Sequence, residues 1–157
     1  MGFALSDMQL NSTAFDAGGP IPSRYTGDAD DVSPAFSWSG APEGTREFAL
    51  ICHDPDAPLI KPATYGFVHW VLYGIPGTVG KLPEGVADYI QGGNDFGNTG
   101  YGGPAPPPGH GTHHYFFWLL ALDTTTDFDA GLTMWELLDK IEPNVIGMNR
   151  LMGTYSR

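Results

Sequence analysis

The sequence predicts a mainly β fold, and three observations predict it. The 22 glycines and 14 prolines are spread along all 157 residues, leaving few uninterrupted windows long enough for a helix and many that suit short strands joined by turns. Three compact apolar runs, 47–52, 67–73 and 113–122, have the length and turn-bounded edges of strands. Helix signals are confined to the region after Thr133.

Taken in order, residues 18–39 are punctuated by Gly18-Gly19-Pro20, Pro22, Gly27 and Ser33-Pro34, so only short extended pieces fit, with a strand read over 34–38. The run 47–52 follows the Pro42-Glu43-Gly44 turn and ends at His53-Asp54-Pro55, the pattern of a central strand that empties into a loop. In 67–73, strict alternation places Phe67, His69, Val71 and Tyr73 on one face and Val68, Trp70 and Leu72 on the other. In 113–122, His113, Tyr115, Phe117, Leu119 and Ala121 share one face and His114, Phe116, Trp118, Leu120 and Leu122 the other. Both faces are apolar, so this strand is expected between two layers.

Residues 92–112 hold eight Gly and four Pro with Asp95 as the only formal charge. Asn94, Phe96, Asn98 and Tyr101 are spaced through the stretch, and a flexible linker carries no such aromatics, so an ordered loop with exposed backbone N–H groups is expected. Thr133 and Glu136 form a capping-box pattern before Leu137, Leu138 and Ile141, predicting a helix that Pro143 ends. A second short helix is predicted over 143–152, stopped at Gly153, with 154–157 as a short terminal segment.

Size and composition suit one well-buried core, hence one domain over 1–157. The net charge of −11 would repel nucleic-acid phosphates and anionic lipid surfaces, which excludes nonspecific binding to either. An anionic ligand would need a local donor set working against that field, built from histidines, backbone N–H groups and burial. The lone Cys52 excludes an internal disulfide and sits inside an apolar strand. Residues 1–11 lack a basic segment followed by an apolar run, and no apolar stretch approaches the roughly 20 residues that cross a bilayer, so a cytoplasmic, non-spanning protein is expected.

The chemistry concentrates in few residues. Asp54-Pro55-Asp56 follows a buried strand, and Pro55 restricts both its own φ and the residue before it, displaying two carboxylates rigidly. An Asx-type turn that only solvates a loop explains the same residues. His69 alone in an apolar strand reads equally as a hydrogen-bonded core histidine. His113 and Tyr115 lie two apart on one strand face, directly after the glycine-rich loop, so two imidazoles, a phenol and a carboxylate could line one concavity and bind an anion without arginine. A metal on His110, His113 and His114 is disfavoured because His113 and His114 point to opposite faces. No Gly-x-Ser-x-Gly elbow, P-loop or cofactor motif is present, so no cofactor and no enzymatic activity are expected.

In order and spacing, Asp54-Pro55-Asp56-Ala57-Pro58, His69-Trp70, the 102–109 segment Gly-Gly-Pro-Ala-Pro-Pro-Pro-Gly, His113-His114-Tyr115 and the ending Leu151-Met152-Gly153-Thr154-Tyr155 resemble the phosphatidylethanolamine-binding protein family, in its bacterial Raf-kinase-inhibitor-like branch. The resemblance implies an antiparallel β-sandwich of a large sheet against a smaller one, with C-terminal helices near the ligand pocket. It implies that Asp54, Asp56, His69, His113 and Tyr115 bind the ligand and that Gly103, Ala105 and Pro106 form its loop wall. The ligands implied are phosphate, acetate or a phosphoryl head group, and the partners a kinase or protease in some members, with a homodimer possible. Two positions depart from the family pattern: His114 stands where Arg is usual, and Ala105 where Cys or Gly is frequent. The readings left open beside anion binding are an acid-base hydrolase of small phosphoesters using Asp54 and His113, and an interaction scaffold whose pocket is vestigial.

Overall fold

The computed structural model describes residues 5–58 and 66–157. The part of the leader reading that concerns residues 1–4 lies outside them.

Among the described residues, eight strands and one α-helix follow in chain order: β1 Gln9–Asn11, β2 Phe36–Ser39, β3 Glu47–Asp54, β4 Phe67–Pro76, β5 Lys81–Leu82, β6 Ile90–Gln91, β7 His113–Leu122, α1 Met134–Ile141 and β8 Val145–Tyr155. They form two antiparallel sheets, a five-stranded one in the order β6-β4-β3-β7-β8 and a three-stranded one in the order β1-β2-β5. The three apolar runs of the sequence become β3, β4 and β7, and β3 lies at the centre because both of its faces are apolar.

Alternation along these strands divides the apolar residues between two cores. Phe48, Leu50 and Cys52 of β3 and Phe117 and Leu119 of β7 face the small sheet, meeting Phe36 and Trp38 of β2. The Phe36 and Phe117 rings pack at a tilt of 46° with centroids 4.9 Å apart. On the opposite face Ala49, Ile51, Leu120 and Leu122 receive Leu137 and Ile141 of α1. Each fully buried large side chain of this kind contributes roughly 1.5–3 kcal/mol. The α1 start is the expected one: the Thr133 side chain accepts from the Glu136 N–H while the Glu136 carboxylate accepts from the Thr133 N–H.

Three expectations fail. The segment 143–152 is not a helix: Pro143 lies in a single 3-10 turn, Glu142–Asn144, and the chain then runs as β8 along the whole of β7, from Leu122 opposite Val145 to His113 opposite Tyr155. Local helix formers lose here because β7 without β8 would present a ten-residue unpaired edge. Gly153, read as a helix stop, instead admits neighbours: a Cβ there would lie 2.6 Å from Ile21 and 2.7 Å from Phe15. The helix is also not beside the candidate pocket, since α1 packs on the outer face of the large sheet.

The third failure concerns β4. Cys52 pairs with Trp70, but the next residue of β3, His53, pairs with Val68, so His69 is an extra residue in a β-bulge. Strict alternation would group His69 with Val71 and Tyr73. The bulge leaves those two on the α1 side and turns the His69 ring toward the other.

Candidate functional site

At one end of the inner face of the large sheet lies a cavity of about 150 Å³. Its polar lining is Asp54 from the end of β3, His69 from the bulge of β4, and His113 and Tyr115 from the start of β7. Apolar walls come from Phe67, Ala57 and Pro58, and from Phe96, Ala105, Pro106 and Pro107 of the glycine-rich loop. Among the described residues no lysine or arginine lines it. A space of this size is comparable to one that accepts a molecule about as large as benzene.

Three of the four polar side chains are fixed by definite partners. The Asp54 carboxylate accepts from His113 Nδ1 at 2.6 Å and from the Asp56 N–H at 2.8 Å, the second bond being the Asx turn that Pro55 favours. Both members of the Asp54–His113 pair are buried. His113 Nε2 is 2.7 Å from Nδ1 of His110, an exposed residue set between Gly109 and Gly111, whose φ values of 74° and 90° require glycine. A continuous chain Asp54–His113–His110 thus runs from the buried end of β3 to the surface.

His69 is held differently. Its Nδ1 lies 2.7 Å from the carbonyl oxygen of Gly102, while its own backbone carbonyl accepts from the Gly102 N–H at 3.0 Å. A carbonyl can only accept, so Nδ1 carries hydrogen, and in the neutral ring Nε2 is a lone pair. The ring is packed edge-on against Phe96 and Tyr115, with centroids 5.5 and 5.1 Å away. Burial depresses the His69 pKa from the usual histidine range; the Gly102 hydrogen bond and the Asp54 charge oppose this without reversing it. The buried His69 ring is therefore favoured in its neutral form. The Tyr115 hydroxyl is buried and has no hydrogen-bond partner among the described residues. Its pKa is raised, by burial first and then by the Asp54 charge, so it remains a donor.

The loop wall is clamped rather than loose. Asn94 accepts from the N–H groups of Phe96 and Asn98 and donates to the Gly100 carbonyl. The Gly103 N–H donates to Asp31 at 2.7 Å, the Gly27 N–H to the Pro104 carbonyl at 2.9 Å, and Arg157 to the Pro106 carbonyl at 3.2 Å. Arg157 is itself paired with Asp28 at 2.7 Å. Position 103 has no room for a side chain, since a Cβ there would lie 2.3 Å from the Tyr25 carbonyl oxygen.

Of the eight residues the sequence singles out, the structure brings Asp54, His69, Ala105, Pro106, His113 and Tyr115 to the cavity. Asp56 and Gly103 stand behind it. The Asp56 carboxylate accepts from the His114 backbone N–H at 2.8 Å and from its ring Nδ1 at 2.7 Å. Burial acts upward on the Asp56 pKa but the His114 hydrogen bonds outweigh it, leaving it below the usual range. His114 thus lies on the face away from His113, as alternation requires. Sequence reasoning did not place Phe67, Phe96 or the His110–His113 contact at the site; the i, i+3 spacing of the two histidines across a glycine was the signal for the last.

With that geometry in hand, the comparison with known proteins is direct. The phosphatidylethanolamine-binding protein family model matches residues 11–156. The chain belongs to this family. A UPF0098 protein of the archaeon Methanothermobacter thermautotrophicus is 43% identical, covering 96% of this chain and 99% of that relative. Among solved structures, a phosphatidylethanolamine-binding protein homologue from Chlamydia trachomatis has a TM-score of 0.88 at 36% identity over 96% of this chain and 97% of its own. YbcL of Escherichia coli, described as a member of the mammalian phosphatidylethanolamine-binding protein family, has a TM-score of 0.86 at 31% identity over 97% and 99%. The bacterial branch and the family's sandwich of two antiparallel sheets are those the sequence implied. No helix of the described residues is long and apolar enough to cross a membrane.

Proposed function

We propose that this protein is a binding protein for a small oxyanion or phosphoryl head group, seated in the cavity between His69, His113 and Tyr115, and that it performs no turnover there. The observation that carries the reading is the Tyr115 hydroxyl, a buried donor without a partner among the described residues, on a residue that lines the cavity. A buried unpaired hydroxyl costs about 1–3 kcal/mol, a cost that a ligand oxygen accepting its hydrogen would remove. Family membership supports a ligand-binding role.

Binding is favoured over hydrolysis by the state of the acid-base pair. General-base action by His113 needs Nε2 free to face a substrate, and that nitrogen is engaged by His110 at 2.7 Å. The one thiol, Cys52, is buried and its pKa is raised well above the usual value by burial and then by Asp54, so it does not serve as a nucleophile. Control of a partner protein is a second part of the reading. The exposed Pro107, which lines the cavity, and the exposed Pro108 next to it are where such a partner would compete with the small ligand.

Thermal unfolding with inorganic phosphate or phosphorylethanolamine tests the reading. A ligand at about 100 times its Kd stabilises the native state by roughly 2.7 kcal/mol, and Tyr115→Phe should shrink the shift. No shift with either ligand would overturn the proposal.

A further inference from the structure

We propose that His110 and His113 form a two-imidazole site for a divalent transition-metal ion of the copper, nickel and zinc class, with cupric ion held most tightly. The site stands at the edge of the cavity and does not depend on any anion inside it.

Of the three clustered histidines, two converge. Nδ1 of His110 lies 2.7 Å from Nε2 of His113, with ring centroids 5.0 Å apart and the planes inclined at 58°. His114 points to the opposite face, where Asp56 holds it. The sequence argument against a metal applied to the three together, and it leaves this pair untouched.

His113 is already arranged as a ligand. Its Nδ1 donates to the buried Asp54 carboxylate at 2.6 Å, so in the neutral ring Nε2 is the lone pair that faces His110. A carboxylate behind the imidazole fixes the tautomer and raises the basicity of the outer nitrogen, the arrangement usual behind metal-binding histidines. With His113 Nε2 as acceptor, His110 Nδ1 supplies the one hydrogen between the rings. An ion takes the place of that hydrogen, which moves to Nε2 of the neutral His110 ring, so the exchange releases no net proton.

Two nitrogen–metal bonds of about 2.0–2.1 Å set the nitrogens roughly 3–4 Å apart, so one ring has to retreat. His113 is buried in β7, whereas His110 is exposed. The His110 backbone is pinned by its N–H donating to the Pro107 carbonyl at 3.1 Å. Its flanking Gly109 and Gly111 have open space where a Cβ would stand, which leaves the ring room to swing outward. No group of three His, Cys, Asp or Glu side chains forms a metal cluster among the described residues, so selection rests on the two nitrogens. Imidazole suits copper, nickel and zinc, and the stability order places cupric ion above the other two. The net charge of −11 favours any cation at this surface.

The full chain, without an affinity tag and stripped by a chelator, tests this by titration with cupric ion at about pH 7.5, where neutral imidazole is the ligand form. Calorimetry should show one ion per chain, and electron paramagnetic resonance should show two nitrogen donors. Nickel and zinc should bind more weakly. His110→Asn removes one arm of the chelate at an exposed position and should weaken copper roughly tenfold or more, leaving the signature of one nitrogen. Asp54→Asn should weaken it by roughly 10–100-fold, and His114→Asn should bind as the wild type does. Because Asp54→Asn also loosens the fold, the decision rests on His110→Asn. Equal copper affinity in that variant and the wild type would overturn the site, as would failure of all three ions to bind. Titration with phosphate reads the cavity separately, so either proposal can fail while the other stands.

Discussion

Asp54 Oδ2 and His113 Nδ1 lie 2.6 Å apart with both side chains buried, so the end of β3 is tied to the start of β7 by a charge-assisted hydrogen bond beyond their last ladder pair, His53 with Phe116. The contact is at once a strand clasp and the back wall of the cavity.

This clasp predicts the behaviour of Asp54→Asn. The amide keeps an acceptor but not the charge, and the variant should lose about 1–3 kcal/mol of unfolding free energy. Combined with His113→Gln in a double-mutant cycle, the coupling should fall within about 0.5–3 kcal/mol. Additive losses in urea unfolding would show that the pair contributes nothing as a pair.

His69 predicts a pH dependence with a definite sign. Its folded pKa is below the ordinary value, so between the two the unfolded chain binds more protons and stability rises with pH. The contribution is fully present above about 6.5, the unperturbed histidine value, and is lost as pH falls through the lower folded value. Urea midpoints measured at pH 8 and pH 5 should differ by more in the wild type than in His69→Gln. Identical pH responses would show that the buried ring is not the titrating group.

Gly153→Ala should be a folding mutation with no chemistry in it. The added methyl would meet Ile21 and Phe15 at 2.6 and 2.7 Å, on a segment that bonds to β8 through Ile21 N–H and the Thr154 carbonyl. Overpacking of this kind costs about 1–3 kcal/mol. A stability within error of the wild type would mean that residues 15–21 yield freely and do not brace β8.

The parts of this molecule that could be read from the chain are those where local pattern and tertiary demand agree. β3, β7 and the Thr133 cap are legible because burial on both faces, strand length and capping chemistry each point the same way. Asp54, His69, His113 and Tyr115 were likewise visible as a set, through the motifs that bracket them. Residues 145–155 were not, because methionine, leucine and a preceding proline describe a helix locally, and the need to cover β7 is written elsewhere in the chain. The direction of His69 was hidden for a related reason: a bulge is a mismatch between two strands, and neither strand shows it alone. His110 escaped because its role depends on a nitrogen of His113 that only the fold orients.

The extra residue in β4 has a consequence for how this cavity could be gained or lost. Removing position 69 would bring Val68 next to Trp70, and the pairs Cys52–Trp70 and His53–Val68 would then follow one another as in a regular ladder. The sandwich would keep both of its cores, while the cavity would lose its lone-pair acceptor and the ring that Gly102 and Phe96 hold in place. The form of the cavity is thus encoded partly in chain length, so that a three-nucleotide deletion would remove one of its polar walls while the hydrophobic sequence pattern is repaired rather than damaged.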